Sequence, residues 1–312
     1  MSPLLLVGFA LALAALGAPR LAAAGWVTRS PRLGVAAWLV LSAAILASAL
    51  LAALTLLLYW DCAHDLAAGA WHMCLDALLG RHDHHRARAI AFAGLVVLLA
   101  LGVRLVLSAG RLYATHRTLR SRLRLLVRAA GTGQRVPGAT VVTHPEPAAY
   151  LVPGPRLPGR AADIVITSAA VDRLAAPELS AVLAHERGHH EGRHFEATRW
   201  MRMLAQAFPW APCFRLGARQ VDRLVELCAD DTAARTARRV DLARALAAMA
   251  GSAGPAPGLP LHGGDALERM HRLLDPPRPL RRLPRAAIVT LCGATLTAPP
   301  VLAILERTLL AL

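Results

Sequence analysis

The sequence predicts a mainly α-helical protein with four transmembrane helices and a cytoplasmic α+β domain. Three observations support this class. The 312 residues are 55% hydrophobic and only 18% charged, whereas soluble domains carry about 25% charged residues. Four apolar runs are long enough to cross a bilayer as helices. Between the third and fourth runs, short β-branched segments precede longer helical patterns.

The apolar runs divide the chain into three regions. Three membrane helices are predicted first, at about 3–18, 33–60 and 89–108. They lie within residues 1–110 and leave an extracellular loop at 61–88. Residues 111–285 form the predicted cytoplasmic domain, and residues 286–312 hold the fourth membrane helix. The first run lacks the positively charged start of a secretory signal peptide, so we interpret it as a retained membrane helix.

The arginines predict the orientation of the chain in the membrane. All 35 basic residues are arginine, and the net charge is +15. They concentrate after the first helix, after the third and just before the fourth, and such segments stay in the cytoplasm. We therefore predict a cell-membrane protein with its N-terminus outside and residues 111–285 in the cytoplasm. We expect these segments to contact anionic membrane lipid, with no direct binding of nucleic acid.

The predicted outer loop, residues 61–88, contains two cysteines and five histidines. Disulfides form in oxidising compartments, so a Cys62–Cys74 disulfide is predicted on this side of the membrane. The histidines fit either a metal or pH sensor or a solvated polar loop. Their spacing does not match a ligand motif, and the two interpretations stay open.

The cytoplasmic region begins with strand-like segments and continues with helices. Residues 139–143 and 163–167 predict strands by their β-branched content, and 148–152 predict an edge strand. The pattern then becomes helical. Pro177 suits the first turn of a helix, and the carboxylate of Glu178 suits the positive end of the helix dipole.

The next helix carries a His-Glu-x-x-His motif at His185, Glu186 and His189. The spacing of four places both imidazoles on one helix face, where they can reach one Zn²⁺ at about 2.0–2.1 Å. Glu186, one position further along, can contact a zinc-bound water without being a ligand. The pattern therefore predicts two metal ligands and a general base.

A second match overlaps the first, with His190 and His194 as its histidine pair. The two pairs point to different sides of the helix, so they cannot both bind one ion. We favour the first match because an apolar helical stretch leads into it, formed by Leu179, Val182 and Leu183. His194 is then interpreted as a structural or charge-neutralising residue.

A third ligand is expected downstream, in a helical stretch predicted at 219–248. Glu226 and Asp230 share one face of this helix, and apolar neighbours predict that Glu226 is buried. Glu226 could bind zinc while Asp230 hydrogen-bonds a ligand histidine. The alternative is a solvated acidic cluster on a surface helix.

Together these motifs resemble the integral-membrane gluzincins. The resemblance covers about 145–275 and is carried by residues 164–167, the His185-Glu186-x-x-His189 helix and Glu226-x-x-Ala-Asp230. Two related families share the pattern: the BlaR/MecR-type antirepressor metallopeptidases of β-lactam resistance, and the CAAX prenyl protease and heat-shock membrane protease family. Three spans, a zinc domain and one further span resemble the first family, but the C-terminal penicillin-binding sensor is lacking.

The resemblance implies a cytoplasmic gluzincin-type zinc metallopeptidase domain that binds one Zn²⁺ per chain. His185, His189 and Glu226 would be the ligands, Glu186 the catalytic residue, and Asp230 the partner of a ligand histidine. A donor to the transition state is also expected. His262 has a weak parallel in the family, and the other candidates are Arg269 and His271.

The implied function is regulated proteolysis in signal transduction. The substrate would be a winged-helix transcriptional repressor, the chain itself, or both. A membrane protein quality-control endopeptidase is the nearest alternative, followed by a non-catalytic membrane signalling scaffold. The oligomeric state stays open.

Overall fold

The computed structural model describes residues 3–57, 85–152, 163–249 and 263–310. Three residues named above lie outside this part of the chain. They are the predicted disulfide pair, Cys62 and Cys74, and the candidate transition-state donor, His262.

The membrane region is helical, as predicted. Its helices are α1 (Pro3–Ala12), α2 (Ala18–Ala23), α3 (Trp26–Arg29), α4 (Pro31–Leu57), α5 (His85–Ala130) and α12 (Arg282–Leu310). A short π-helical stretch, Leu13–Gly17, joins α1 to α2. Within the part of the chain that the structure describes, four segments are long and apolar enough to cross a membrane: Pro3–Ala23, Pro31–Leu57, Ala89–Thr118 and Arg282–Leu305. The prediction of a multi-pass membrane protein with four membrane helices is thereby confirmed.

These helices expose large apolar side chains. Phe92 of α5 is 67% exposed, and Leu283 of α12 is 83% exposed. Contiguous apolar surface on this scale suits a lipid environment better than water. Helix α5 also continues without a break well beyond the predicted end of the third span, so its basic segment extends as a helix toward the peptidase region.

A four-stranded sheet follows α5. Its strands are β1 (Gly131–Val136), β2 (Ala139–Val142), β3 (Ala149–Val152) and β4 (Asp163–Thr167), in the order β1-β2-β4-β3. The β2–β4 pair is parallel and the other two pairs are antiparallel. Gly138 allows the turn between β1 and β2 because its φ is +88°, a value that side chains disfavour. Strand β3 is at the end of this order, as the edge-strand prediction expected.

Six helices complete the domain: α6 (Ser168–Arg173), α7 (Ala176–Glu191), α8 (His194–Ala207), α9 (Pro212–Ala233), α10 (Arg239–Met249) and α11 (Gly263–Leu274). At the start of α7, the Glu178 carboxylate accepts a hydrogen bond from the Ala175 N–H at 3.0 Å. This contact satisfies a donor that would otherwise lack a partner at the helix end.

One prediction about these helices was wrong. The stretch 219–248 is two helices, α9 and α10, separated by a turn. The turn forms because Arg235 and Thr236 donate to carbonyls three residues back, which tightens and ends the last turn of α9. No glycine or proline stands between Ala233 and Arg239, so the sequence offered no helix-breaking residue to mark the break.

The membrane helices and the peptidase helices share one hydrophobic core. Trp38 and Leu41 of α4 pack in the same buried cluster as Met201 and Leu204 of α8 and Leu224 of α9. Trp38, Met201, Leu204 and Leu224 are each at most 1% exposed. The helices that carry or support the motif residues are therefore fixed directly against a membrane helix.

Candidate active site

Three helices and one strand position the side chains of the candidate site. Helix α7 supplies the His-Glu-x-x-His motif, α9 supplies Glu226 and Asp230, and α11 supplies Arg269. Helices α7 and α9 approach closely because Gly188 has no side chain. A Cβ at this position would lie only 3.2 Å from the Ala229 carbonyl oxygen. This close approach brings the carboxylate of Glu226 to the imidazoles.

The predicted metal ligands converge on one point. His185 Nε2 and His189 Nε2 are 3.1 Å apart. The Glu226 carboxylate lies 3.4 Å from each of these nitrogens. Among the described residues, these three form a group whose ligand atoms could hold one metal ion.

The donor set fits zinc. Four ligands at about 2.0–2.1 Å in a tetrahedron are separated by about 3.3–3.4 Å. The observed separations of 3.1–3.4 Å, which involve a different oxygen of Glu226 for each histidine, are close to this value. Two imidazole nitrogens and one carboxylate oxygen are also the donors of many catalytic zinc sites, which keep the fourth position for water or substrate.

The charges around His185 favour a cation at the same point. Burial alone would lower the pKa of His185, but Asp230 and Glu226 raise it to about 9. For Glu226, burial acts to raise the pKa, yet His189 and Arg269 hold it well below its ordinary value. The carboxylate is thus ionised at neutral pH, as a metal ligand requires.

Asp230 connects the candidate ligands to α11. Its Oδ1 lies 2.9 Å from His185 Nδ1, on the opposite side of the ring from the ligand nitrogen. Arg269 donates to both oxygens of Asp230 at 2.8 Å, and its Nη1 lies 2.9 Å from Glu226 Oε2. A carboxylate beside the second nitrogen of a ligand histidine fixes the ring orientation and tautomer.

Arg269 does not have the position expected of a donor to the transition state. The sequence suggested a donor to the transition state, whereas the side chain is 3% exposed and lies between two carboxylates. Its pairing could not be predicted, because Asp230 is 39 residues away in the chain. The other candidate on this helix, His271, is exposed.

His194 contacts His189, which the sequence did not indicate. Their Nδ1 atoms are 3.1 Å apart, and the His194 residue is 6% exposed. The contact depends on the turn between α7 and α8, where Arg193 has a φ of +53°. Gly192 leaves room for the ring, because a Cβ there would collide with His194 Nε2.

Glu186 lies between the metal-binding group and the edge strand. Burial raises the pKa of Glu186 to about 7, and His185 opposes this shift. Helix α7 packs against β3, and hydrogen bonding by the Leu151 backbone acts to lower the pKa of Glu186. The catalytic carboxylate predicted from the motif therefore directly borders the free edge of the described sheet.

Two further residues lie near the metal-binding group without belonging to it. Cys228 is 2% exposed, and burial raises the pKa of its thiol to about 12. It belongs to the core and not to the metal-binding group. His190, half-buried on α7, is also outside that group, so the first of the two overlapping motifs is the one that meets Glu226.

Comparison with known families agrees with this geometry. Residues 113–222 match the model described as Peptidase family M48. The chain carries a peptidase family M48 domain. Members of this family are zinc metallopeptidases, so the chain is a zinc-dependent hydrolase. The match spans α7 with its motif and ends shortly before Glu226, which the fold nevertheless brings to the two histidines.

Two other comparisons found no relatives. No curated protein and no solved structure matches the chain. The family match and the assembled metal-binding group together confirm the predicted metalloprotease class and zinc cofactor.

Proposed function

We propose that this M48 domain is an endopeptidase that cleaves proteins on the cytoplasmic side of the cell membrane in a regulatory step. The observation that carries the endopeptidase assignment is the packing of α7, which bears Glu186, against the edge strand β3. It sets the edge of β3 beside the catalytic carboxylate. An extended peptide that pairs with this edge would pass in front of His185, Glu186 and His189. Such a binding mode needs no free chain end.

Each residue of the site has a role in this proposal. His185, His189 and Glu226 would hold the zinc, which would supply a Lewis acid for the scissile carbonyl and for the attacking water. Glu186 accepts the proton of the attacking water on its carboxylate and later delivers it to the leaving amine. Asp230 orients His185.

Arg269 keeps Asp230 and Glu226 ionised and in place. The group that stabilises the oxyanion is not among these assignments, and His262 stays a candidate for that role.

The orientation in the membrane is also part of the proposal. Arg32, at the start of α4, donates to the Thr232 hydroxyl at 3.1 Å. Arg272 of α11 donates to the Thr28 carbonyl at 3.2 Å. These contacts support a placement in which the peptidase helices lie on the same side of the membrane as the segment that connects the first two spans. Because that connection is basic, the shared side would be the cytoplasm.

The regulatory role rests on the order of spans and domain, which resembles the BlaR/MecR-type antirepressors. The substrate would be a winged-helix repressor, the chain itself, or both. A quality-control endopeptidase is the second candidate. The M48 match favours it, because this family includes the heat-shock membrane proteases.

The test compares host cells that produce the wild type with cells that produce Glu186→Gln. Glu186→Gln keeps the side-chain shape and the zinc ligands but removes the base, so turnover should fall by at least about 10²–10⁴-fold. New protein N-termini found only with the wild type identify the substrates. The orientation is checked separately, by fusing alkaline phosphatase within the 61–88 loop and after Leu274.

Each result distinguishes the candidates. Wild-type-specific cleavage confined to one regulator or to the chain itself is expected. Cleavage spread over many misfolded membrane proteins would replace this proposal with quality control. The same set of protein N-termini in cells that produce the wild type and in cells that produce Glu186→Gln would contradict both proposals. Phosphatase activity after Leu274, and none in the loop, would overturn the orientation.

A further inference from the structure

The hairpin formed by α8 and α9 has an uncharged tip. Residues 203–214 contain no charged side chain, and Arg202 and Arg215 are the nearest charges on either side. The tip includes the end of α8 at Ala207 and the start of α9 at Pro212. An uncharged segment of this kind at the end of a hairpin has the composition of a membrane-inserted element.

The hairpin lies along two of the candidate membrane spans. Trp200 of α8 donates to the Ser42 hydroxyl at 3.1 Å, and Ser42 is near the middle of α4. Phe208, at the tip, packs in the same buried cluster as Ile45 of α4. The tip therefore lies beside the apolar part of a segment that crosses the membrane.

The tip of the hairpin also contacts Arg104, which belongs to a second candidate membrane span. Arg104 is near the middle of the span Ala89–Thr118 in α5, where an unpaired charge would be costly. Its guanidinium donates to the Ala207 carbonyl at 3.2 Å and lies 4.3 Å from the ring centre of Trp210. The negative end of α8 and an aromatic face thus supply partners for this charge.

The outer surface of the tip is uncharged and exposed, and it carries the polar Gln206 beside apolar side chains. Trp210 is 60% exposed, and Pro209 and Pro212 are also exposed. Arg215 and Arg219 are exposed one and two turns further along α9, toward the metal-binding group. Tryptophan next to acyl chains and arginine at headgroup level is the usual order at a membrane surface.

We propose that the tip of the α8–α9 hairpin, residues 203–214, is inserted into the bilayer leaflet on the peptidase side. Acyl chains cover Trp210, and lipid phosphates meet Arg215 and Arg219. Helix α8 is about 20 Å long, so the metal-binding group at its other end is held close to the membrane surface. This inference rests on the membrane spans and not on the proposed substrates.

The first test uses nitroxide labels in a full-length chain in which the five native cysteines are replaced. One label is placed at Trp210 and the control at Arg238, in vesicles of phosphatidylethanolamine and phosphatidylglycerol. The two positions flank α9, which is about 33 Å long. We expect the label at 210 to be relaxed by oxygen and protected from a water-soluble nickel complex, with the opposite result at 238. Equal access of the nickel complex to both labels would overturn the proposal.

A second measurement needs no cysteine replacement. Wild type and Trp210→Phe are compared in vesicles whose acyl chains carry bromine at mid-chain. The fluorescence difference between the two proteins reports Trp210 and should be strongly quenched by the brominated lipid. A difference signal that is insensitive to bromine but quenched by aqueous iodide would place Trp210 in water and contradict the insertion.

Discussion

The imidazole of His189 is contacted through both of its ring nitrogens. Nε2 faces His185 and Glu226, and Nδ1 lies 3.1 Å from Nδ1 of His194. A neutral histidine that binds a metal through Nε2 carries its proton on Nδ1. His194 would then accept that hydrogen bond and fix the ring in the orientation that zinc needs.

Replacing His194 tests this contact. His194→Leu removes the acceptor, and we expect zinc affinity to fall by about 10–100-fold. His194→Asn keeps an acceptor oxygen and should lose less. Zinc affinity is measured by competition with a chelator, and His190→Leu is the matched control on the same helix. Wild-type affinity in His194→Leu, or a larger loss in His190→Leu, would contradict the interpretation.

The residues of the site differ in how far they could be predicted. His185, Glu186 and His189 follow from one local spacing on one helix. Arg269 and His194 could not be assigned, because their contacts depend on how α11 packs on α9 and on the left-handed turn at Arg193. Neither feature leaves a periodic pattern in the sequence.

At the scale of elements, the site depends on the close packing of α7 against α9. Gly188 lies where the two helices meet. A Cβ at this position would approach the Ala229 backbone and the Thr232 side chain to 3.1–3.2 Å. Two of these three contacts are backbone atoms, which cannot rotate away. The separation of His189 and Glu226 therefore depends on glycine, which has no side chain, at position 188.

Gly188→Ala should push these helices apart. We expect a destabilisation of about 1–3 kcal/mol from overpacking, even though alanine favours the helix itself. Zinc affinity should fall as well. Thermal unfolding and chelator competition measure the two effects. Gly110→Ala is the control, because nothing lies within 4 Å of a Cβ at that helical position. If Gly188→Ala and Gly110→Ala had the same thermal stability and zinc affinity, the packing of α7 on α9 would not depend on the absence of a side chain at position 188.

Hydrophobic patterns predicted the element types better than their limits. The strands near 139–143, 148–152 and 163–167 were predicted and are present. The break between α9 and α10 was missed because no glycine or proline marks it in the sequence. Hydrogen bonds at the end of α9 decide that boundary, and they depend on backbone geometry.

At the scale of the whole molecule, the peptidase domain and the membrane helices form a common core. The sequence separates them at residue 110, because charge and hydropathy change there. Packing does not follow that division. Trp38 of α4 is 1% exposed and lies 3.0 Å from the position that a Cβ on Gly217 of α9 would occupy. A signal in the membrane helices would therefore reach the peptidase helices directly.

Trp38→Ala tests the shared core. Removing a buried tryptophan costs about 3–5 kcal/mol, and we expect zinc to be released at a clearly lower temperature in detergent. Phe92→Ala is the control, because Phe92 is 67% exposed on a membrane span. If the temperature of zinc release were the same in Trp38→Ala and the wild type, the two regions would be independent.

The most direct test of the central claim is the zinc content of the detergent-purified chain. Wild type is compared with Glu226→Gln and with Asp222→Asn, which changes an acid one turn earlier on α9. We expect about one zinc per chain in the wild type and in Asp222→Asn, and little in Glu226→Gln. Full zinc content in Glu226→Gln, or none in folded wild type supplied with zinc, would contradict a site built from His185, His189 and Glu226.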